Sequence, residues 1–267
     1  MIVGTENNDV LTGTLVVDEI AALSGDDLAF GLEGNDDING NDGNDDINGN
    51  QGNDTVRGGQ GNDTVRGGLN EDLVTGDLGS DILYGDRGND VLMGGTSDGG
   101  ALDVAGNDLI FGGSGNDVAF GNQGDDVISG DEGDDLLFGG QGNDRISGGS
   151  GNDRLFGNLG ANTLTGGAGT DFFLIGDGPT GTLAINNIID FRKGEDFIEL
   201  GGGLTFADLS LGVGTNENAG GTIVQNAATG DVLAILQSIS PNEVNQSDFL
   251  EAFPTIPTTP LPPGTPP

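Results

Sequence analysis

An aspartate returns at every ninth residue through most of this chain. The frame runs through Asp27, Asp36, Asp45, Asp54, Asp63, Asp72, Asp81 and Asp90. It resumes at Asp108, Asp117, Asp126, Asp135, Asp144 and Asp153, and closes at Asp171, fifteen positions in all. Asp9 and Asp18 share the frame without most of the surrounding glycines. A fixed short period of this kind specifies stacked repeats, each burying its apolar side against its neighbours.

The unit around each aspartate is constant in kind. Five places before it stands glycine in almost every unit, as at Gly31, Gly40, Gly49, Gly58, Gly112 and Gly148. Four places before it usually stands Gly, Asn or Asp, the residues that tolerate a left-handed backbone. Two places after it stands an aliphatic, as at Ile38, Val56, Leu83, Ile110 and Leu155. Each unit therefore reads as a six-residue turn followed by a three-residue strand with its middle side chain inward. Two units make one coil. The expected fold is all-β, a parallel β-roll or β-helix solenoid with a small C-terminal β-rich cap.

Read along the chain, residues 1–24 form a lead-in with a degenerate repeat, and 25–171 form the roll. Residues 96–105 keep the frame but carry no turn motif, which predicts a loop bulging from one coil. The glycine frame stops near residue 172, and 172–253 are expected to cover the open end. There, 221–227 and 232–237 read as a hairpin across a Thr229-Gly230-Asp231 turn, and Ser240-Pro241 reads as a helix start. Seven of the nine prolines lie in 254–267, which predicts an extended or disordered tail.

Composition narrows the chemistry. Of 267 residues, 54 are glycine, and 44 acids face seven basic residues for a net charge of -37. Such a balance speaks against binding nucleic acid or an anionic membrane surface. No apolar run reaches the roughly 18 residues of a membrane helix, so no membrane insertion is expected. Glu6 and Asp9 stand where a cleavable leader would be basic and then apolar. With no His and no Cys, the usual zinc or haem sites and Ser-His or Cys-His catalysis are excluded. The charge needs a positive partner, and a hard cation fits best.

The units GGQGNDTVR (58–66) and GGQGNDRIS (139–147) show the pattern most fully. They resemble the RTX family, the haemolysin-type calcium-binding nonapeptide repeats. The resemblance covers roughly 25–175, with a weaker start at 4–13. It implies calcium in the turns, held by the fifteen in-frame aspartates and by backbone carbonyls. Those carbonyls lie near Gly34, Gly43, Gly52, Gly58, Gly61, Gly115, Gly124, Gly133, Gly142 and Gly151. Calcium takes six to eight oxygens in loose geometry, and roughly a dozen ions are expected. Asn70-Glu71-Asp72 replaces Gly-Asn-Asp, which predicts a weaker site, and Asn162 replaces an in-frame carboxylate. The resemblance also implies an extracellular or cell-surface protein, exported without a leader.

Phe120, Phe138 and Phe156 recur at spacings of 18, one per coil, and should form an outward stripe open to self-association or a protein partner. Three functions follow in order: a calcium-folded binding module, a self-assembling adhesive protein, and a polysaccharide-acting enzyme. The last is disfavoured, because nearly every aspartate has a place in the repeat and the chain has one lysine, Lys193, and one tyrosine, Tyr84.

Overall fold

In the computed structural model, residues 1–95, 106–176, 184–214 and 220–251 are described. Numbering each unit from the glycine five places before its aspartate makes the aspartate position 6 and the aliphatic position 8. Side chains alternate along extended backbone, so the position-8 side chain and the glycine of the next position 1 both face inward. Ile38 and Gly40 do so within Asp37–Asp42, as do Val65 and Gly67 within Thr64–Leu69.

These strands hold six residues, not three. The extended backbone runs on through positions 1 to 3 of the following turn. It can do so because position 1 has no side chain to clash with the coil above, and position 2 accepts a left-handed backbone, as at Asn41 (φ 73°). Residues at positions 2 and 3 then join the ladder, Asn41 opposite Gly59 and Asp42 opposite Gln60. The tight turn shrinks to positions 4 to 6.

Every strand of the roll pairs in parallel with the one a full coil away, Asp37–Asp42 with Thr55–Gln60 and Asp46–Gln51 with Thr64–Leu69. Alternate units fall into two sheets facing each other. Between them the position-8 side chains stack as the core: Ile38, Val56, Val74, Leu92 and Leu137 from one sheet, and Ile47, Val65, Leu83, Ile110 and Ile128 from the other, all buried. One aliphatic per nine residues is enough because the two sheets meet along a single row each.

The ladder starts at Ile2–Val3, which pairs with Glu19–Ser24. Across residues 96–105 the register steps by 27 rather than 18, with Ile82 opposite Leu109 and Val91 opposite Val118. The segment 96–105 itself, and the proline-rich 254–267, lie outside the described residues.

Parallel winding also continues past Asp171. Phe172–Ile175 pairs with Phe197–Leu200, which in turn pairs with Phe249–Glu251. The other sheet ends in an antiparallel meander of Leu209–Val213, Thr222–Asn226 and Val232–Leu236, with a bulge at Val224/Gln225. Phe173, Phe191, Phe206 and Phe249 fill this end. The helix expected at Ser240 is a single turn instead. The Ser240 backbone N–H and hydroxyl both donate to Glu243 Oε2, closing the turn on itself, and a short 3-10 helix forms later at Gln246–Asp248.

Candidate metal centre

Stacking two units per coil sorts the aspartates into two rows, one on each edge of the roll. One row contains Asp27, Asp45, Asp63, Asp81, Asp108, Asp126 and Asp144. The other contains Asp36, Asp54, Asp72, Asp90, Asp117, Asp135, Asp153 and Asp171. All fifteen are buried. Within a row each aspartate offers Oδ1 to the backbone N–H of the aspartate one coil earlier, at 2.8 Å from Asp45 N to Asp63 Oδ1. The row crosses the 27-residue step intact, with Asp90 N donating to Asp117 Oδ1 at 2.7 Å.

The second oxygen is left over. Oδ2 of Asp36, Asp45, Asp54, Asp63, Asp72, Asp90, Asp117, Asp135, Asp144 and Asp153 is buried without a hydrogen-bond partner. An orphaned buried carboxylate oxygen is costly. Burial accordingly pushes these carboxyls up, Asp54 to about 6, Asp63 and Asp90 to about 7, and Asp72 to about 8. Backbone N–H donation lowers them by less, and neighbouring carboxylates raise them further.

Most of these orphans face a cradle. A Cβ added at Gly85 would lie 2.5 Å from Asp90 Oδ2 and 2.5 Å from the carbonyl oxygen of Gly112, one coil on. Asp54 Oδ2 and the Gly67 carbonyl converge likewise beside Gly49, and Asp45 Oδ2 and the Gly58 carbonyl beside Gly40. The carbonyls meeting the carboxylates are therefore those of position 1, Gly58 among them. The carbonyls of position 4, such as Gly34, Gly43, Gly61, Gly115, Gly124 and Gly133, lie instead against the α-carbon of the glycine one coil later: Gly34 on Gly52, Gly124 on Gly142 and Gly133 on Gly151. Where Asn70 takes position 4, it adopts the left-handed backbone itself (φ 80°), and Asp54 N still reaches Asp72 Oδ1 at 2.8 Å.

The end units differ. Thr5 donates its backbone N–H (2.6 Å) and hydroxyl (2.9 Å) to Asp9 Oδ2, and Thr14 does the same for Asp18. Asn162 keeps its row by accepting Asp144 N at 3.0 Å and passes it to Asn186. The other row gains a member that the nine-residue frame hides. Asp196 Oδ1 accepts Asp171 N at 3.2 Å, 25 residues on, so Phe191–Glu199 is a ninth unit of this row, displaced from the frame.

Position 5 has a structural role that the residue pattern alone did not disclose. Asn116 Oδ1 accepts Asp134 N at 2.9 Å, and Asp134 Oδ1 accepts Asn152 N at 2.7 Å. This ladder points up the chain where the aspartate ladder points down. The near-constant Asn or Asp before each in-frame aspartate was the signal for it.

Among the described residues no three acidic side chains converge as a conventional metal cluster. The cradles are carbonyl-rich, with hard oxygens and no nitrogen or sulfur. Calcium accepts such a set, whereas magnesium demands tighter octahedral geometry and holds its waters. The orphaned Oδ2 atoms and the spaces at position 1 fit calcium.

A parallel roll with oxygen-lined turns defines the class, a calcium-binding repeat protein. The family of the RTX calcium-binding nonapeptide repeat matches residues 13–47, 21–56, 39–74, 66–99, 104–137 and 138–173. These matches span more than half of the chain, and the chain belongs to this family. No curated protein matches the sequence. Solved structures similar to it include a hyperactive, Ca2+-dependent, β-helical antifreeze protein from an Antarctic bacterium, at 19% identity and TM-score 0.44, covering 73% of this chain and 84% of that one. The AlgE6R3 subunit of the mannuronan C5-epimerase of Azotobacter vinelandii matches at 22% identity and TM-score 0.34, over 65% of this chain and 97% of that one. The extracellular lipase LipA of Serratia marcescens matches at 16% identity and TM-score 0.25, over 78% of this chain and 45% of that one.

Proposed function

We propose that this chain is a non-enzymatic module that folds on binding calcium in its turns and works outside the cell or at its surface. The carrying observation is the rows of buried Oδ2 atoms, most of them, as at Asp45, Asp54, Asp90 and Asp153, beside a position-1 carbonyl. The ligands are the in-frame aspartates of the two rows with the carbonyls of their cradles, and roughly a dozen ions fill them. Calcium supplies there the charge that removes the repulsion between stacked carboxylates, so binding free energy becomes folding free energy. The aspartates orient the cradle through Oδ1 and present Oδ2, while the glycines leave the space open.

A second reading, calcium-dependent self-assembly, rests on the phenylalanine stripe. Phe120, Phe138 and Phe156 stack with ring centroids 4.8 and 4.5 Å apart, and Phe120 and Phe138 remain partly exposed. A calcium titration followed by circular dichroism and sedimentation tests both. The module reading expects most of the β-sheet spectrum at neutral pH to appear only with calcium, and a monomer throughout. A spectrum identical in chelator and in calcium would overturn it, and calcium-dependent oligomers would favour assembly.

A further inference from the structure

Among the described ion pairs, only those of Arg192 reach the aspartate rows, whereas Arg154 pairs with Glu199 at 2.7 Å. Arg57 lies on the outer surface against Asp37, and Arg66 lies over the ring of Tyr84. Arg192 stands at position 2 of the displaced unit and turns its guanidinium into the aspartate row. Its Nη2 donates to the carbonyl oxygen of Gly167 and lies 3.7 Å from Asp171 Oδ2. Its Nε lies 3.8 Å from Asp196 Oδ2 and 3.5 Å from Glu195. Asp196 Oδ2 also accepts the Arg192 backbone N–H at 2.6 Å.

One coil earlier in the same row position 1 is Gly166 rather than Phe191, and among the described ion pairs none reaches Asp153. Asp153 Oδ2 is buried without a partner and converges with the Gly166 carbonyl beside Gly148. Here the Asp171 carboxylate faces a guanidinium, which is held by the carbonyl of Gly167, the neighbour of the position-1 glycine. The positive charge is carried by the chain itself, on the side chain at position 2, which in most earlier units is Gly, Asn or Asp.

We propose that Arg192 is a resident cation that takes the place of calcium at the C-terminal end of this row, so that the coil joining Phe172–Ile175 to Phe197–Leu200 closes without metal. The inference rests on the calcium reading of the preceding units. It makes this end the part of the roll that is ordered first, a metal-free template on which the earlier coils add as ions arrive. A fixed monovalent group suits that task, because its local concentration does not depend on the medium.

The test counts ions on the full chain by native mass spectrometry at saturating calcium, for the wild type, Arg192→Gln and Arg192→Lys. Removing the cation opens a cradle, so Arg192→Gln is expected to hold one calcium more than the wild type. Arg192→Lys, which keeps the charge, is expected to hold the wild-type number. Hydrogen exchange in chelator should show residues 172–175 and 197–200 protected in the wild type and unprotected in Arg192→Gln. An equal ion count in Arg192→Gln, an extra ion in Arg192→Lys, or an Arg192→Gln chain that no calcium concentration folds would each overturn the proposal. A wild type that binds no calcium at all would instead overturn the reading on which it rests.

Discussion

Asp54 reaches back exactly one coil, its Oδ1 accepting the backbone N–H of Asp36 at 2.7 Å while its Oδ2 lies buried against the Gly67 carbonyl. The two oxygens of one carboxylate thus have different tasks, one holding coils together and one left for an ion. Asn keeps the first task and loses the second. Asp54→Asn is expected to bind fewer ions and to need more calcium to fold, while Asp54→Ala loses the coil-to-coil bond as well, at about 1–3 kcal/mol. Calcium titrations by circular dichroism check this. Equal calcium midpoints for Asp54→Asn and the wild type would contradict it.

Asn116 supplies the matching control. Its Oδ1 accepts the Asp134 backbone N–H and takes no part in the carboxylate cradle. Asn116→Ala should cost about 0.5–1.5 kcal/mol of stability in calcium and leave the number of bound ions unchanged. Urea denaturation with ion counting reads both, and a lost ion would show that the two ladders are not separate.

Gly52 is held by its backbone. Its φ is 145°, and a Cβ there would collide with the Gly34 carbonyl oxygen. Gly52→Ala is expected to destabilise the calcium-loaded roll by about 1–3 kcal/mol. A melting temperature within error of the wild type would show that the coils slide apart to make room.

Leu83 is wholly buried between the sheets. Leu83→Ala should cost about 2–5 kcal/mol, and the loss should appear as early exchange in the strands carrying Val65 and Ile110 above and below it. Exchange confined to the Leu83 strand would argue against coupling between coils.

Protons can stand in for calcium. An unfolded aspartate titrates near 3.8, whereas burial first, and nearby carboxylates second, raise Asp63 to about 7 and Asp72 to about 8 in the folded chain. A raised carboxyl favours folding fully below the unfolded value and loses that contribution as pH rises through the folded one. In chelator, β-sheet signal should therefore grow as pH falls from about 8.5 to about 5. In calcium the same acidification should weaken ion binding, because the ligands must be ionised. A chelator spectrum flat across this range would rule out the burial cost as a barrier to folding.

Much of this was legible in the residues. The nine-residue frame gives the coil, because a period that short leaves one inward side chain per strand, and Ile38, Val65 and Leu83 lie where it puts them. The strand length was not legible, since Asn41 and Gly43 read as turn formers although Asn41 belongs to the ladder. Asp196 escaped because a frame counts residues along the chain, whereas the row is defined in space, and extra residues between Asp171 and Asp196 break the count without breaking the stack. Arg192 escaped for the same reason, and because a lone Arg among acids looks like any surface charge until its guanidinium is seen against Asp171 and Gly167. The position-5 ladder was hidden in plain composition, as Asn is an ordinary turn residue.

The coil-to-coil bonds, from Asp36 N to Asp54 Oδ1 and from Asp134 N to Asn116 Oδ1, all run along the long axis of the roll. Tension between the two ends would therefore pull on them lengthwise and peel the rod one coil at a time rather than shear whole sheets. Each eighteen-residue coil would release about 60 Å of chain as it opened. Under load the molecule would yield as a series of small steps, most of one eighteen-residue coil and a longer one where the register steps by 27.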